Sequence, residues 1–80
     1  MKNFVIVEDD ALKLGRFLKE ARSQKKMTIT DLENESGINR ADIHRLEGGQ
    51  KKRLNPFQLV SLAEALEINL IDLYILVGNG

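Results

Sequence analysis

Apolar residues return every three or four positions along most of this chain. Leu14, Phe17, Leu18 and Ala21 form one stripe of helical period, and Leu59, Leu62, Ala63 and Leu66 form another. Shorter stripes at Ile29 and Leu32, Ile43 and Leu46, and Leu70 and Leu73 predict three shorter helices. Helix starts are marked as well. Thr28 and Asp31, Asn39 and Asp42, Asn55 and Gln58, and Asn69 and Asp72 repeat one spacing: a capping side chain, then an acid or amide three residues on that reaches back to it. Pro56 falls at a first helical position, where its missing N–H is no loss, and Asp10 reads as the cap of the first helix. The pattern places helices at about 10–25, 29–35, 40–47, 56–66 and 70–76. The run FVIV at 4–7 is β-branched and reads as a strand-like arm without a partner in the chain.

Two of these helices are joined by Ser36, Gly37, Ile38 and Asn39. Gly37 permits the left-handed backbone of a sharp corner, and Ile38 fills the angle between the helices. The pair is a helix-turn-helix, whose second helix typically enters a DNA major groove. The expected organisation is an all-α domain over 10–77, an arm over 1–9 and a tail over 78–80.

Charge sharpens this picture. The 80 residues carry 12 basic and 12 acidic side chains, yet the balance is uneven along the chain. Residues 22–53 hold eight basic and five acidic residues, whereas 54–80 hold three acids and no Lys or Arg. The middle third is suited to a polyanion and the last third to something else, although a solvated charged surface accounts for charge alone equally well. With no cysteine and one histidine, neither a disulfide frame nor a metal site is expected, and no cofactor is implied. No apolar run is long enough to span a bilayer, and acids follow the short apolar start, so a cytoplasmic protein is expected. Enzyme activity is not expected: Ser23, Ser36 and Ser61 have no His–acid set near them, and His44 faces outward without an orienting partner.

The pieces LGRFLKEAR, MTITDLENESGIN, IHRLEGG and NPFQLVSLAEALEINLIDLY stand in one order from residue 14 to 74. In order and spacing they resemble the Cro/CI-type helix-turn-helix domains of phage repressors and the xenobiotic-response-element-like class of bacterial regulators. The resemblance implies a five-helix, lambda-repressor-like fold that binds double-stranded DNA. Three positions depart from it. Ile29 stands where many members have a Gln that touches the DNA backbone and braces the recognition helix. The loop over 48–55 is slightly longer and more charged than usual, and Glu67 replaces the usual Gly after the fourth helix, which should alter that corner without unmaking it.

On a helical wheel Ile43 and Leu46 face the core, while Arg40, Ala41, His44 and Arg45 face outward. Similar domains present this surface to base edges. Arg40 and Arg45 suit bidentate donation to guanine O6 and N7, Ala41 allows close approach to a thymine methyl, and His44 suits either a base or a phosphate. Ordinary solubility is the plainer account of two exposed arginines. Asp42 reads as a helix-capping acid, with acceptance from a cytosine amine the sharper alternative. The resemblance places Thr28, Thr30, Asn39, Lys51, Lys52 and Arg53 along phosphates, and makes Arg22 and Glu47 a structural pair that orients the recognition helix.

One copy of so small a domain reads about half a site, so a homodimer is expected, most simply a repressor on a palindromic operator. Leu70, Ile71, Leu73, Tyr74, Leu76 and Val77 offer a self-association patch, with Leu70 and Leu73 assigned to the core; the arm is the rival surface. The residues also leave open an antitoxin-type protein that binds a partner protein and its own promoter, and, from the linker-like LVGNG, a missing C-terminal domain.

Overall fold

Each apolar stripe becomes a helix, in the order expected. The computed structural model describes residues 4–5 and 8–77, with side chains from Asp10 to Leu76; the rest of the arm and the tail 78–80 lie outside the described residues. The helices are α1 (Glu8–Gln24), α2 (Ile29–Ser36), α3 (Arg40–Glu47), α4 (Pro56–Leu66) and α5 (Leu70–Val77). Two differences from expectation concern the start of the chain. Asp10 lies inside the first turn of α1 and not at its cap, because negative charge suits any position of a first turn and so does not mark where a helix begins. The arm has a partner in the chain after all: β1 (Phe4–Val5) pairs antiparallel with β2 (Arg53–Leu54), Phe4 opposite Leu54. β2 escapes a reading of hydrophobic pattern because it is two residues long and only Leu54 points into the core.

The caps at α2 and α4 form as the spacing predicts. Thr28 Oγ1 accepts from the Asp31 N–H at 3.0 Å while the Thr28 N–H donates to Asp31 Oδ2 at 2.9 Å, and Asn55 and Gln58 repeat the exchange. Ahead of α5, Asn69 Oδ1 accepts instead from the Ile71 N–H at 2.8 Å. Between α2 and α3, Gly37 takes φ 75° and donates its N–H to the Glu33 carbonyl at 2.9 Å. Ser36 holds the same corner, accepting from the Ile38 N–H at 3.1 Å, and Ile38 is buried beneath it. After α4 the left-handed position falls to Glu67, at φ 54° and ψ 44°. The corner therefore survives without glycine, at the cost of a backbone region that side chains disfavour. Lys25, in the turn just after α1, donates to the Glu67 carboxylate across it and holds that carboxyl below its usual range.

The core gathers one or more residues from every helix: Leu14 and Leu18, Leu32, Ile43 and Leu46, Leu59, Leu62 and Leu66, and Leu73. Each such side chain contributes about 1.5–3 kcal/mol of burial. α1 packs on α3 and α5, α2 on α3 and α4, and α4 on α5. α3 has only Ile43 and Leu46 to bury, so its placement depends on what α1 provides. Two features supply it. Gly15 lets the helices touch backbone to backbone, since a Cβ there would lie 2.6 Å from the Leu46 and Glu47 carbonyl oxygens. Two turns further on, Arg22 forks onto Glu47, Nε to Oε2 at 2.7 Å and Nη2 to Oε1 at 2.9 Å, while its Nη1 donates to the Met27 carbonyl at 2.9 Å. The hydrogen bond to Glu47 raises the Arg22 pKa further, against the opposing effect of burial.

Two stability measurements follow from this contact. Gly15→Ala gains about 0.5–1 kcal/mol of helix propensity but forces a backbone shift costing about 1–3 kcal/mol, so the melting temperature should fall. An unchanged or higher value would show that α1 and α3 separate freely. Glu47→Gln leaves the largely buried Arg22 without its counter-charge and should lower the unfolding free energy in urea by about 3 kcal/mol.

Candidate nucleic-acid interface

Because α3 buries Ile43 and Leu46, its remaining face is turned outward, and Arg40, Ala41, His44 and Arg45 are all exposed. Asn39 starts the helix in extended backbone and accepts from the Asp42 N–H at 2.8 Å. The capping box is only half made. The Asp42 carboxylate does not return to the Asn39 N–H; it meets the Arg45 guanidinium, with Lys51 Nζ at 3.9 Å and Asn39 Nδ2 at 3.4 Å. The hydrogen bond from Arg45 is the main reason its carboxyl sits below the usual carboxylate range; burial works the other way, and the charges of Lys51 and Arg45 add to the lowering. Asp42 thus serves basic side chains more than the helix end, because cations one turn along and in the next loop outbid weak amide dipoles.

A second acid was missed by sequence reasoning. Glu33 of α2 accepts from the Arg40 N–H at 2.8 Å, which is the first backbone donor of α3. Its other oxygen lies 3.8 Å from Arg40 Nη2, and that nitrogen donates to Thr30 Oγ1 at 2.8 Å. Arg40 and Thr30, assigned separately to bases and to phosphate, are therefore bonded neighbours. Ile29, meanwhile, packs against the core. The brace between α2 and α3 that a Gln at that position was expected to give comes here from Glu33. The available signal was an acid placed to meet the unsatisfied N–H groups of the helix that follows.

The flanks carry donors on both sides of α3. Thr28 and Thr30 are exposed at the start of α2; the Thr28 oxygen is taken as an acceptor by its cap, which leaves its O–H to donate. On the other side the chain turns at Gly48 and Gly49 and folds back, with the Gln50 and Lys51 N–H groups donating to the Arg45 carbonyl at 2.8 and 3.3 Å. Lys52 and Arg53 are exposed. Arg53 belongs to β2, so its backbone is fixed by the ladder and is not part of a free loop. Among the described residues no cluster of His, Asp and Glu is placed to hold a metal ion, and no helix is long and apolar enough to cross a membrane.

A different surface lies on α4 and α5. Pro56, Leu59, Val60, Leu70, Ile71 and Tyr74 line an open apolar groove of about 270 Å³. Leu73 is fully buried as expected, but Leu70, also assigned to the core, is 41% exposed. α5 is apolar on nearly every side, so periodicity does not select its inner face, and Leu70 at its first position has little packed over it. Phe57, Val60 and Ile75 are exposed too and had no part in the sequence reading of this patch.

Residues 15–79 match the family model described as helix-turn-helix domain. The chain is 37% identical over 54 residues to the HTH-type transcriptional repressor RghR of Bacillus subtilis strain 168, a match that takes in 68% of this chain and 40% of that protein. Among solved structures it is similar to the restriction-modification controller protein C.AhdI from Aeromonas hydrophila, at 31% identity and a TM-score of 0.75, over 81% of this chain and 97% of that one. It is also similar to the clp gene regulator ClgR from Corynebacterium glutamicum, at 26% identity and a TM-score of 0.71, over 85% and 87% of the two chains. An α2–α3 corner of this geometry, an outward basic α3 and these relatives converge on one assignment: the chain belongs to the Cro/CI-type helix-turn-helix family of DNA-binding transcription regulators.

Proposed function

We propose that the protein is a sequence-specific repressor that binds a two-fold symmetric operator as a homodimer. The observation that carries this reading is the outward face of α3, where Arg40, Ala41, His44 and Arg45 stand together between the threonines of α2 and the cations after Gly49. α3 enters the major groove with Arg45 and Arg40 toward guanine edges, Ala41 against a thymine methyl and His44 at a base or phosphate. Thr28, Thr30, Asn39, Lys51, Lys52 and Arg53 meet phosphates and fix register without reading sequence. Repression follows from occupying a promoter, in keeping with the likeness to a transcriptional repressor.

The second copy docks on the α4–α5 groove. That surface is apolar, lies in a stretch without Lys or Arg, and presents Ile71 and Ile75 at 64% and 60% exposure. An isologous contact there buries the same patch twice. The arm, the alternative surface and the basis of an antitoxin-type reading, is engaged with β2 at Phe4 and Val5, so nothing favours it as the partner site.

Selection of bound duplexes from a random library tests the reading. The wild-type protein should enrich a palindrome with half-site centres roughly 10 bp apart or a multiple of that, and Arg45→Ala should relax one position per half-site, a loss of about 1–3 kcal/mol of discrimination. Generic, salt-sensitive binding with no consensus would sink it. Ile71→Glu should turn a dimer into a monomer in sedimentation and weaken operator binding while leaving the fold intact. A dimer that survives this change would move the interface elsewhere.

A further inference from the structure

We infer that Asp42 is a positioning residue that makes Arg45 a selective reader of guanine and ties Lys51 of the following loop to the same carboxylate. The inference rests on the proposed contact between Arg45 and a base edge.

An acid on the flank of a reading helix is repelled by every phosphate near it, so its presence calls for a compensating role. Its surroundings supply one. The Asp42 side chain is only 16% exposed, although it stands on the flank of an exposed helix, with the Arg45 and Lys51 side chains reaching its carboxylate from the helix and from the following loop. The Arg45 side chain is 55% exposed. Asp42 takes one Arg45 nitrogen, Nη2, and a guanidinium has five N–H donors in a fixed fork. The remaining donors are sufficient for the O6 and N7 of one guanine. Lys51 is tied in twice, through Nζ to Asp42 and through its N–H to the Arg45 carbonyl. One carboxylate therefore sits at the junction of the reading helix and the loop that follows it.

The consequence for binding comes from what each cation does without Asp42. A long basic side chain beside DNA goes to the strongest negative potential within reach, which is phosphate, and a phosphate contact carries no sequence information. Held by Asp42, Arg45 is partly neutralised toward phosphate and confined in direction, so a planar pair of acceptors is the partner it gains most from. Specificity is then obtained by weakening the competing contact as much as by strengthening the correct one.

The test uses Asp42→Asn, which keeps the side-chain size and the backbone N–H that donates to Asn39. Affinities are measured for the selected operator, for operators carrying each other base at the Arg45 position, and for a random duplex across a salt series. They are taken for the wild type, Asp42→Asn, Arg45→Ala and the double variant. The preference for guanine should fall ~10-fold in Asp42→Asn, random-duplex affinity should rise, and the salt slope should steepen by about 0.9 for each cation released to phosphate. In the Arg45→Ala background Asp42→Asn should leave the ranking of bases unchanged. If Asp42→Asn shifts affinity for all duplexes by one common factor, Asp42 acts as bulk charge and the inference is overturned. A fall in melting temperature with equal loss on every duplex would overturn it in favour of a purely structural role. Absence of any wild-type consensus would remove the base-reading proposal itself, an outcome distinct from both.

Discussion

Backbone contact between α1 and α3 at Gly15 is the constraint from which the rest of the molecule follows. An eight-residue helix is too short to persist alone, and α3 has just two inward side chains to hold it. Its direction is set by the helix it lies against. Gly15 brings the axes together at the C-terminal end of α3, and the Arg22–Glu47 fork, from two turns further along α1, fixes the rotation about that contact. Arg22 also grips the Met27 carbonyl just ahead of α2, so one guanidinium ties together the ends of α1, α3 and the α1–α2 turn. The outward residues of α3 inherit their aim from these buried ones.

On the outer side the same helix is governed by charge. Both of its exposed arginines have an acid close by, Glu33 for Arg40 and Asp42 for Arg45, and with each arginine side chain more than half exposed the ion pairs themselves contribute little. Their effect is geometric. Glu33 spends one oxygen on the first N–H of α3, which binds the two halves of the helix-turn-helix at the point where the recognition helix begins. A surface that must attract a polyanion therefore carries negative charge where it orders the positive charge.

Much of this was legible in the order of residues. Stripes such as Leu59, Leu62, Ala63 and Leu66 specify a helix, and Thr28 with Asp31 or Asn55 with Gln58 mark where one starts, because capping is local and needs only a few residues to be seen. The outward set on α3 was legible for the same reason: its period is short and its inner residues are unmistakably apolar. What escaped depends on distance along the chain. The pairing of Phe4 with Leu54, the bond from Glu33 to Arg40 and the approach at Gly15 are set by tertiary placement, which no local pattern encodes. Leu70 escaped for a different reason. In a helix apolar on almost every side, a residue's polarity says nothing about which way it faces.

The ladder between β1 and β2 has a kinetic meaning. The turns within each helix form quickly because little loop entropy is lost in closing them. β1 and β2 are instead separated by three helices, and they meet over only two residues on each strand. Closing so long a loop for so few hydrogen bonds is unfavourable until the helices have brought the ends together, so this pairing depends on the helices being packed first. The end of the basic segment that enters β2 is then protected from amide exchange only as long as this short ladder is closed. Gripping a phosphate backbone would supply the missing closure, and slow that exchange, without moving any helix.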